Sequence, residues 1–300
     1  MYASKFISNR ATLDSGCFFF FNSSNTFIES SLFEKNVAES SNGGVMLLFN
    51  SENVTLLDCK FYKNTAQNGG IASIQNSSIF LTNGSIELSS AIDGGAFYGS
   101  LNVIISISSI ILNNNTGNGA IINCVNNCNI SLLNSNLTNN SGLSQGNIIY
   151  VYQGNLNISN CVIFNNTAGS GITPDGTIIY SRKANTNIEN SLFLQNTIYG
   201  KGCIFVYSGE ESKNCSSTNN RFSTNTAILG SVFILEGFIN TNFVGNVFEY
   251  NICTKKAVLS IIINGTSQIF NSSFFNNNGV KGGAIFVESN AVSTLSISEW

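Results

Sequence analysis

Phe275-Asn276-Asn277-Asn278, followed by Gly282-Gly283-Ala284-Ile285, is the fullest copy of a pattern that recurs along the whole chain. In each copy a large apolar residue precedes an asparagine by three positions, and in most copies a glycine follows a few residues later. The predicted asparagine column is Asn9, Asn36, Asn64, Asn114, Asn140, Asn166, Asn196, Asn225, Asn251 and Asn278, with Ser89 in the place between Asn64 and Asn114. A period of 25 to 30 residues is typical of a solenoid, in which each repeat buries its apolar face against its neighbours.

Other columns have the same period. The residue three positions before the asparagine is large and apolar in every copy, and its aromatic members are Phe6, Phe33, Phe61, Phe193, Phe222, Phe248 and Phe275. The position five before the asparagine is small or short and polar, and the position eight before it is mostly apolar. Residues with β preference at such short spacing indicate strands that turn one face inward.

These columns predict an all-β fold: a right-handed parallel β-helix of the pectin-lyase-like type, with about eleven coils of about 27 residues. Parallel strands stack about 4.8 Å apart, so the rod would be roughly 50 Å long. The phenylalanine column is predicted to stack inside it. The asparagine column is predicted to form a ladder at a bend, because asparagine tolerates the left-handed conformation and its amide can bond to the coils on both sides.

A leucine-rich repeat is the alternative solenoid, because it also has a period of 20 to 29 residues and an asparagine ladder. That repeat requires leucine five positions before the asparagine, whereas this chain has mostly serine or cysteine there. The glycine is followed by a second strand where a leucine-rich repeat would have a helix. The pattern therefore favours the β-helix.

The repeats leave no room for a second folding unit, so we expect residues 1–300 to form one β-helix domain. The first repeat begins at Phe6, and Trp300 ends a strand. We therefore expect both ends to be cut from a longer parent protein. The longest apolar stretch, Val103–Leu112, is interrupted by serines and is shorter than the roughly 20 residues of a membrane helix, so no transmembrane span is predicted.

Only 10% of the residues are charged, the net charge is -3, and histidine is absent. Proteins that bind nucleic acid normally present a basic face, so this composition predicts no nucleic-acid partner. It also offers few metal ligands, and no cofactor is predicted.

The paired motifs Phe-x-x-Asn and Gly-Gly-Ala-Ile resemble the repeats of the polymorphic outer-membrane protein family, whose passenger domains are surface β-helices. Close variants in this chain are Phe33 to Asn36 with Gly43-Gly44-Val45, and Phe61 to Asn64 with Gly69-Gly70-Ile71. The resemblance implies an extracellular or cell-surface location and an adhesive or structural role. A glycan or a host or cell-surface protein would then be the partner.

Polysaccharide lyases and glycoside hydrolases also occur on β-helices, and they cluster carboxylates on one face. The aspartates here are Asp14, Asp58, Asp93 and Asp175. Asp14, Asp93 and Asp175 hold similar repeat positions in distant coils, which places them about 15 Å or more apart, too far for a shared metal or an acid–base pair. The chain is therefore predicted to lack catalytic and metal-binding residues, and a lyase or hydrolase remains the alternative.

Cysteine spacing gives one further prediction. Cys124 and Cys128 are the only close pair among the eight cysteines, and they are candidates for a turn-closing disulfide. Cys59 and Cys161 share a column four coils apart, beyond the roughly 7 Å that a disulfide permits, so they are expected in the core.

The leading functional hypothesis is a non-catalytic surface or secreted β-helix segment that acts as a structural stalk or an adhesive surface. All regular columns are explained by stacking, and no polar constellation is left over. A carbohydrate-active enzyme is one alternative. A self-associating structural protein is another, because cut ends would expose unpaired strand edges.

Overall fold

A computed structural model describes residues 1–112, 119–142, 148–169, 176–288 and 294–298. In these residues all regular structure is β, and every paired strand is parallel to its neighbour in the next coil. The prediction of a parallel β-helix is thereby confirmed. The predicted ladder residue Asn114 lies outside the described residues.

The strands follow one another with short bends between them. Their bounds are β1 Lys5–Ile7, β2 Arg10–Ala11, β3 Phe18–Phe21, β4 Phe27–Glu29, β5 Leu32–Glu34, β6 Val37–Ala38, β7 Met46–Phe49, β8 Val54–Leu57, β9 Lys60–Tyr62, β10 Ala72–Gln75, β11 Ser78–Glu87, β12 Phe97–Ser100, β13 Val103–Leu112, β14 Ile122–Leu133, β15 Asn136–Thr138, β16 Ser141–Gly142 and β17 Ile149–Ser159. They continue as β18 Val162–Phe164, β19 Thr167–Ala168, β20 Thr177–Glu189, β21 Leu192–Leu194, β22 Thr197–Ile198, β23 Gly202–Thr218, β24 Arg221–Ser223, β25 Thr226–Ala227, β26 Phe233–Val244, β27 Val247–Glu249, β28 Ile252–Cys253, β29 Leu259–Ile263, β30 Thr266–Phe270, β31 Ser273–Phe275, β32 Asn278–Gly279, β33 Ile285–Glu288 and β34 Thr294–Ser298.

One coil has three faces and a short edge. In the coil that begins with β17, the first face is 149–152 and the second is 154–159, with a bend at Gln153 and Gly154. The third face is β18 and the short edge is β19. The next coil, β20 to β22, pairs with it in register on all four segments, so equivalent side chains form columns along the axis.

The phenylalanine column runs inside the third face. Its register joins Phe6, Phe33, Phe61, Ile86, Ile111, Leu137, Ile163, Phe193, Phe222, Phe248 and Phe274. The rings of Phe193, Phe222 and Phe248 stack with centroids 4.8 and 4.6 Å apart. Two aromatic runs are thus separated by an aliphatic stretch, and burying each phenylalanine contributes about 1.5 to 3 kcal/mol.

The last coil departs from the predicted columns by one residue. Phe274, not Phe275, stacks on Phe248 at 4.8 Å, and Asn277, not Asn278, accepts the ladder hydrogen bond from Asn251 at 3.0 Å. Phe275 is 41% exposed. The predictions for Phe275 and Asn278 are therefore wrong, because two consecutive phenylalanines and three consecutive asparagines allow two alignments and packing selects the one that buries Phe274.

The bend before the ladder is made by a different residue from the one expected. The residues immediately before the ladder positions have φ of 52° to 57°: Ser8, Lys35, Lys63, Leu88, Asn139, Asn165, Gln195, Thr224, Tyr250 and Asn276. The ladder asparagines are not left-handed in the described residues. Several of the preceding residues are not asparagine, so the stacked coils, not the local preference of asparagine, impose the left-handed conformation.

Close approach of the coils explains the repeat glycine. A Cβ on Gly44 would lie 2.2 Å from the carbonyl oxygen of Gly70, and one on Gly70 would lie 2.3 Å from that of Gly95. Such contacts are too short for any side chain. Glycine is therefore required here so that adjacent backbones can approach.

Candidate functional site

The asparagine ladder lies inside the rod, between the third face and the short edge. Asn196 illustrates it: Nδ2 donates to the carbonyl of Ile163 and to Oδ1 of Asn225, both at 2.9 Å. Its Oδ1 accepts from the backbone N and the Nδ2 of Asn166, both at 3.0 Å. The amide therefore makes two donated and two accepted bonds, which is its full capacity. Ser89 accepts from the backbone N of Asn64 at 3.4 Å but supplies no amide.

A second polar ladder lies at the bend between the second and third faces. Its hydrogen bonds between coils are not predicted from the sequence. Its members are the small residues five positions before the first ladder. Backbone N–H groups donate to side-chain oxygens of the next coil in the pairs Gly84 to Ser109, Ser109 to Ser135, Cys161 to Ser191, Ser191 to Asn220, Asn220 to Asn246 and Asn246 to Ser272. Both ladders are buried, so their role is structural.

A polar groove lies on the outside of the second face. Two adjoining clefts of about 330 and 340 Å³ share Asn214 and Ser216. The remaining lining residues are Asn155, Asn157, Asn185, Thr186 and Asn187 in one cleft, and Cys215, Asn240, Thr241, Asn242, Thr266 and Gln268 in the other. We name the outward-facing residues that line these two clefts the amide groove.

The amide groove consists of two columns of side chains two residues apart. The column nearer the bend is Asn155, Asn185, Asn214, Asn240 and Thr266, and the second column is Asn157, Asn187, Ser216, Asn242 and Gln268. Asn129 and Ser131 continue the two columns into the preceding coil. The intervening side chains, such as Leu156 and Ile158, are buried, because successive residues of a strand point to opposite faces.

The two columns differ in hydrogen bonding. In the first, Asn155 donates to Oδ1 of Asn129 at 2.6 Å and Asn185 donates to Oδ1 of Asn155 at 3.1 Å. In the second, the amides of Asn157, Asn187 and Asn242 make no side-chain bond within the described parts of the chain. The first column is thus fixed by its own ladder, and the second presents free amide donors and acceptors to solvent.

The lining residues of the amide groove carry no ionisable group apart from the buried thiol of Cys215. Close to the groove in sequence, two lysines share one carboxylate: Lys213 Nζ lies 3.1 Å from Glu211, and Lys183 lies 3.6 Å from the same group. Lys213 accordingly lowers the pKa of Glu211. The groove can therefore recognise hydrogen-bonding groups but offers no general acid or base.

The sequence contains a signal for this groove that the repeat alignment overlooked. Asn155-Leu156-Asn157, Asn185-Thr186-Asn187 and Asn240-Thr241-Asn242 share the pattern Asn-x-Asn at one position of the coil. The repeat is most regular in the buried columns, where packing restricts residue type. Outward positions are not restricted in that way, so only the register shows that these asparagines line up.

The predicted cysteine pair is joined: Cys124 and Cys128 form a disulfide with Cα atoms 6.1 Å apart. The bridge spans the bend between the first and second faces, where Asn126 and Asn127 have positive φ. Cys59 and Cys161 are free and buried. The disulfide therefore fixes the bend in the coil next to the amide groove clefts, where Cys128 pairs with Gly154 and immediately precedes Asn129.

The aspartates do not assemble in the described residues. Among these, no group of three or more His, Cys, Asp or Glu side chains is arranged to hold a metal ion. Asp93 has one buried carboxylate oxygen without a hydrogen-bond partner, whereas Asp175 lies outside the described residues. The described part of the chain also contains no helix long and apolar enough to cross a membrane.

Comparison with known proteins identifies no relative: no family model, no curated protein and no solved structure matches this chain. The function is therefore inferred from the geometry of the amide groove.

Proposed function

We propose that this chain is a non-catalytic β-helix of a secreted or cell-surface protein, and that it binds an extended neutral glycan along the amide groove. The observation that carries the proposal is the second column of free amides, repeated in register on a rigid scaffold. An amide both donates and accepts, which suits the hydroxyl groups of a sugar. The resemblance to surface β-helix repeats supports the location.

The shape of the groove favours a polymer. Five coils line the two clefts, from Asn155 to Thr266, a length of roughly 20 Å at 4.8 Å per coil. A regular array of donors and acceptors along an open groove fits a ligand with a regular array of hydroxyls. Since the amides sit on paired strands, their backbone loses little conformational freedom on binding, and the spacing between the amides is preorganised.

The test uses soluble neutral polymers and a matched pair of variants. Protein made in a bacterial host leaves the Asn157 and Asn214 sequons unmodified. Isothermal titration with hydroxyethyl cellulose and with galactomannan should show binding of at least one polymer. The triple change Asn157→Ala, Asn187→Ala and Asn242→Ala should weaken that binding about tenfold or more, since each lost hydrogen bond contributes about 1 kcal/mol.

The matched control is Asn136→Ala, an exposed asparagine on the third face that makes no side-chain hydrogen bond in the described residues. It should bind as the wild type does. Equal affinity of the triple variant and the wild type would refute the groove as the site, and absence of binding to both polymers would refute the neutral-glycan function. Release of new reducing ends from either polymer would refute the non-catalytic reading.

A further inference from the structure

A row of three side chains on the outside of the first face places one arginine between two tyrosines. Tyr152, Arg182 and Tyr207 occupy one column in three adjacent coils. The guanidinium carbon of Arg182 lies 5.4 Å from the ring centroid of Tyr152 and 5.8 Å from that of Tyr207. The arginine is therefore held between two aromatic rings, each within the range of a cation–π contact.

A neighbouring apolar cluster makes this arrangement rigid. Tyr180, Phe205 and Ile234 are buried outside the main core, and Tyr150 and Tyr207 pack against them. The ring of Tyr180 lies 5.4 Å from Tyr150 and 4.9 Å from Phe205. Burial raises the pKa of the Tyr150 hydroxyl, and the neighbouring charge of Arg182 offsets only part of this. Tyr150 therefore stays neutral beside the guanidinium.

The charge of Arg182 is not neutralised within the described residues. The carboxylate of Glu211 pairs with Lys183 and Lys213, and no carboxylate pairs with Arg182. Its Nε is buried without a hydrogen-bond partner. A buried donor left without an acceptor is destabilising, so the guanidinium has hydrogen-bonding capacity that the described residues leave unused.

The chemistry of the group defines what it can bind. A guanidinium is planar, is always charged, and presents parallel N–H donors that match the two oxygens of a carboxylate or sulfate. The rings of Tyr152 and Tyr207 occupy the adjacent coils on both sides of Arg182, so an anion would approach its N–H donors from the outside of the rod. The flanking tyrosine rings offer flat surfaces for the apolar face of a sugar ring.

We propose that Arg182, held between Tyr152 and Tyr207, binds a carboxylate or sulfate substituent carried by a glycan. A single bend at Lys183 separates Arg182 from Asn185 in the amide groove, so one polymer can reach both. The assignment to a glycan rests on the proposed function, whereas the anion site rests on the geometry of the arginine. An acidic polypeptide and a free anion are the other sources of the same group.

The experiment compares three polymers with one backbone: hydroxyethyl cellulose, carboxymethyl cellulose and cellulose sulfate. Arg182→Gln should weaken binding of at least one charged polymer about tenfold or more, the loss expected for a charge-assisted hydrogen bond. Binding of hydroxyethyl cellulose should not change. Arg10→Gln is the matched control, because it removes the same charge from an exposed ion pair with Glu39 at a distant coil. It should change neither the binding of the charged polymers nor the binding of hydroxyethyl cellulose.

Arg182→Lys separates geometry from charge. Lysine keeps the charge but lacks the planar fork, so it should bind the charged polymer nearly as weakly as glutamine does. Full affinity of Arg182→Lys, or wild-type affinity of Arg182→Gln for both charged polymers, would overturn the site. As a readout that does not require a folded variant, the Nε–H resonance of Arg182 in the wild type should shift when the charged polymer is added, and an unmoved resonance would overturn it.

Two further arms identify the source of the anion. In the first arm, poly-glutamate competes with the charged polymer. Tighter binding of poly-glutamate than of the charged polymer would overturn the glycan assignment. Saturation of the Arg182 site by millimolar sulfate or acetate alone would also overturn it. Arg182-dependent binding of carboxymethyl cellulose without any binding of neutral polymers would support the anion site while refuting the neutral-glycan function. The two proposals can therefore fail separately.

Discussion

Asparagine at the ladder positions is the residue that fits the hydrogen-bonding demand there. Asn166, Asn196 and Asn225 each bridge two coils, and their donors and acceptors are all engaged. Aspartate would lack the donors and would bury a charge, and alanine would lack both functions. The energetic benefit thus comes from satisfying backbone groups at the bend that would otherwise be buried without partners.

Asn196→Ala should be among the most destabilising single changes. It leaves the carbonyl of Ile163 and the backbone N–H of Asn166 without their side-chain partner, and it removes one hydrogen bond from the side-chain amides of Asn166 and of Asn225. Each group left unpaired costs about 1 to 3 kcal/mol before relaxation. We expect a loss of about 3 kcal/mol or more in the free energy of unfolding, measured by urea denaturation. Asn136→Ala, on the exposed third face, should change it by about 0.5 kcal/mol or less. Equal effects would contradict the ladder as a source of stability.

The buried thiols predict a decline of stability in alkali. Burial raises the pKa of Cys215 from 9.0 to about 12. Between these values the unfolded thiol loses its proton while the folded thiol keeps it, so rising pH favours unfolding. The contribution is complete below pH 9 and is lost as pH rises toward 12, by about 1.4 kcal/mol per pH unit.

Cys215→Thr removes this titration without a foreign side chain, because Thr186 and Thr241 flank Cys215 in its column. Other groups that ionise in alkali are the same in both proteins, so the difference between their unfolding free energies from pH 8 to 11 isolates Cys215. The variant should have the shallower slope. Parallel pH profiles would show that the thiol is not protected by burial.

At the scale of the strand, β31 shows how the register is selected. Either Phe274 or Phe275 could enter the core by sequence alone, but only one can, since successive residues face opposite sides. The bend residue Asn276, with φ of 52°, then places Asn277 in the ladder. The packing of the Phe274 ring and the hydrogen bond to Asn277 therefore favour the same register.

Two alanine variants test this register. Phe274→Ala removes a ring that stacks on Phe248, and we expect a loss of about 2 kcal/mol, less than the 3 to 5 kcal/mol of a fully buried phenylalanine because Phe274 is only half-buried. Phe275→Ala, at a position 41% exposed, should cost under about 1 kcal/mol. Thermal unfolding measures the stability of both variants. A greater loss of stability in Phe275→Ala than in Phe274→Ala would support the alternative register, in which Phe275 is inside.

Inward-facing elements were predictable and outward-facing ones were not, for a physical reason. Phe33 and Asn64 are buried, and burial restricts each of their columns to one class of residue. The repeat period of these columns can therefore be read from the sequence. Tyr152, Arg182 and Tyr207 lie 30 and 25 residues apart, and they meet because the first-face parts of β17, β20 and β23 pair in register. No local pattern encodes that meeting. The amide groove does have a local pattern, Asn-x-Asn, but only the strand register shows that its copies lie side by side.

In the whole molecule, each coil contacts its neighbours and little else, so stability is a sum of local terms. Changes several coils apart should therefore add. We expect Asn64→Ala combined with Asn251→Ala to lower the unfolding free energy by the sum of the single losses to within about 0.5 kcal/mol.

Asn196→Ala combined with Asn225→Ala should lose less than the sum, because the two amides share a hydrogen bond. Urea unfolding of the two double variants and their four single variants measures both couplings. Additivity in the adjacent pair, or strong coupling in the distant pair, would contradict a rod whose coils interact only with their neighbours.

The ladder also governs how this asparagine-rich chain ages chemically. Deamidation begins when the backbone nitrogen of the next residue attacks the side-chain carbonyl, and asparagine is a thermolabile residue for this reason. After Asn166 and Asn196 that nitrogen belongs to a β-branched threonine and already donates to the preceding coil, at 2.8 and 2.9 Å respectively. The interior asparagines are therefore shielded, and hydrolytic damage should begin at bends such as Asn264-Gly265, where the following residue has no side chain.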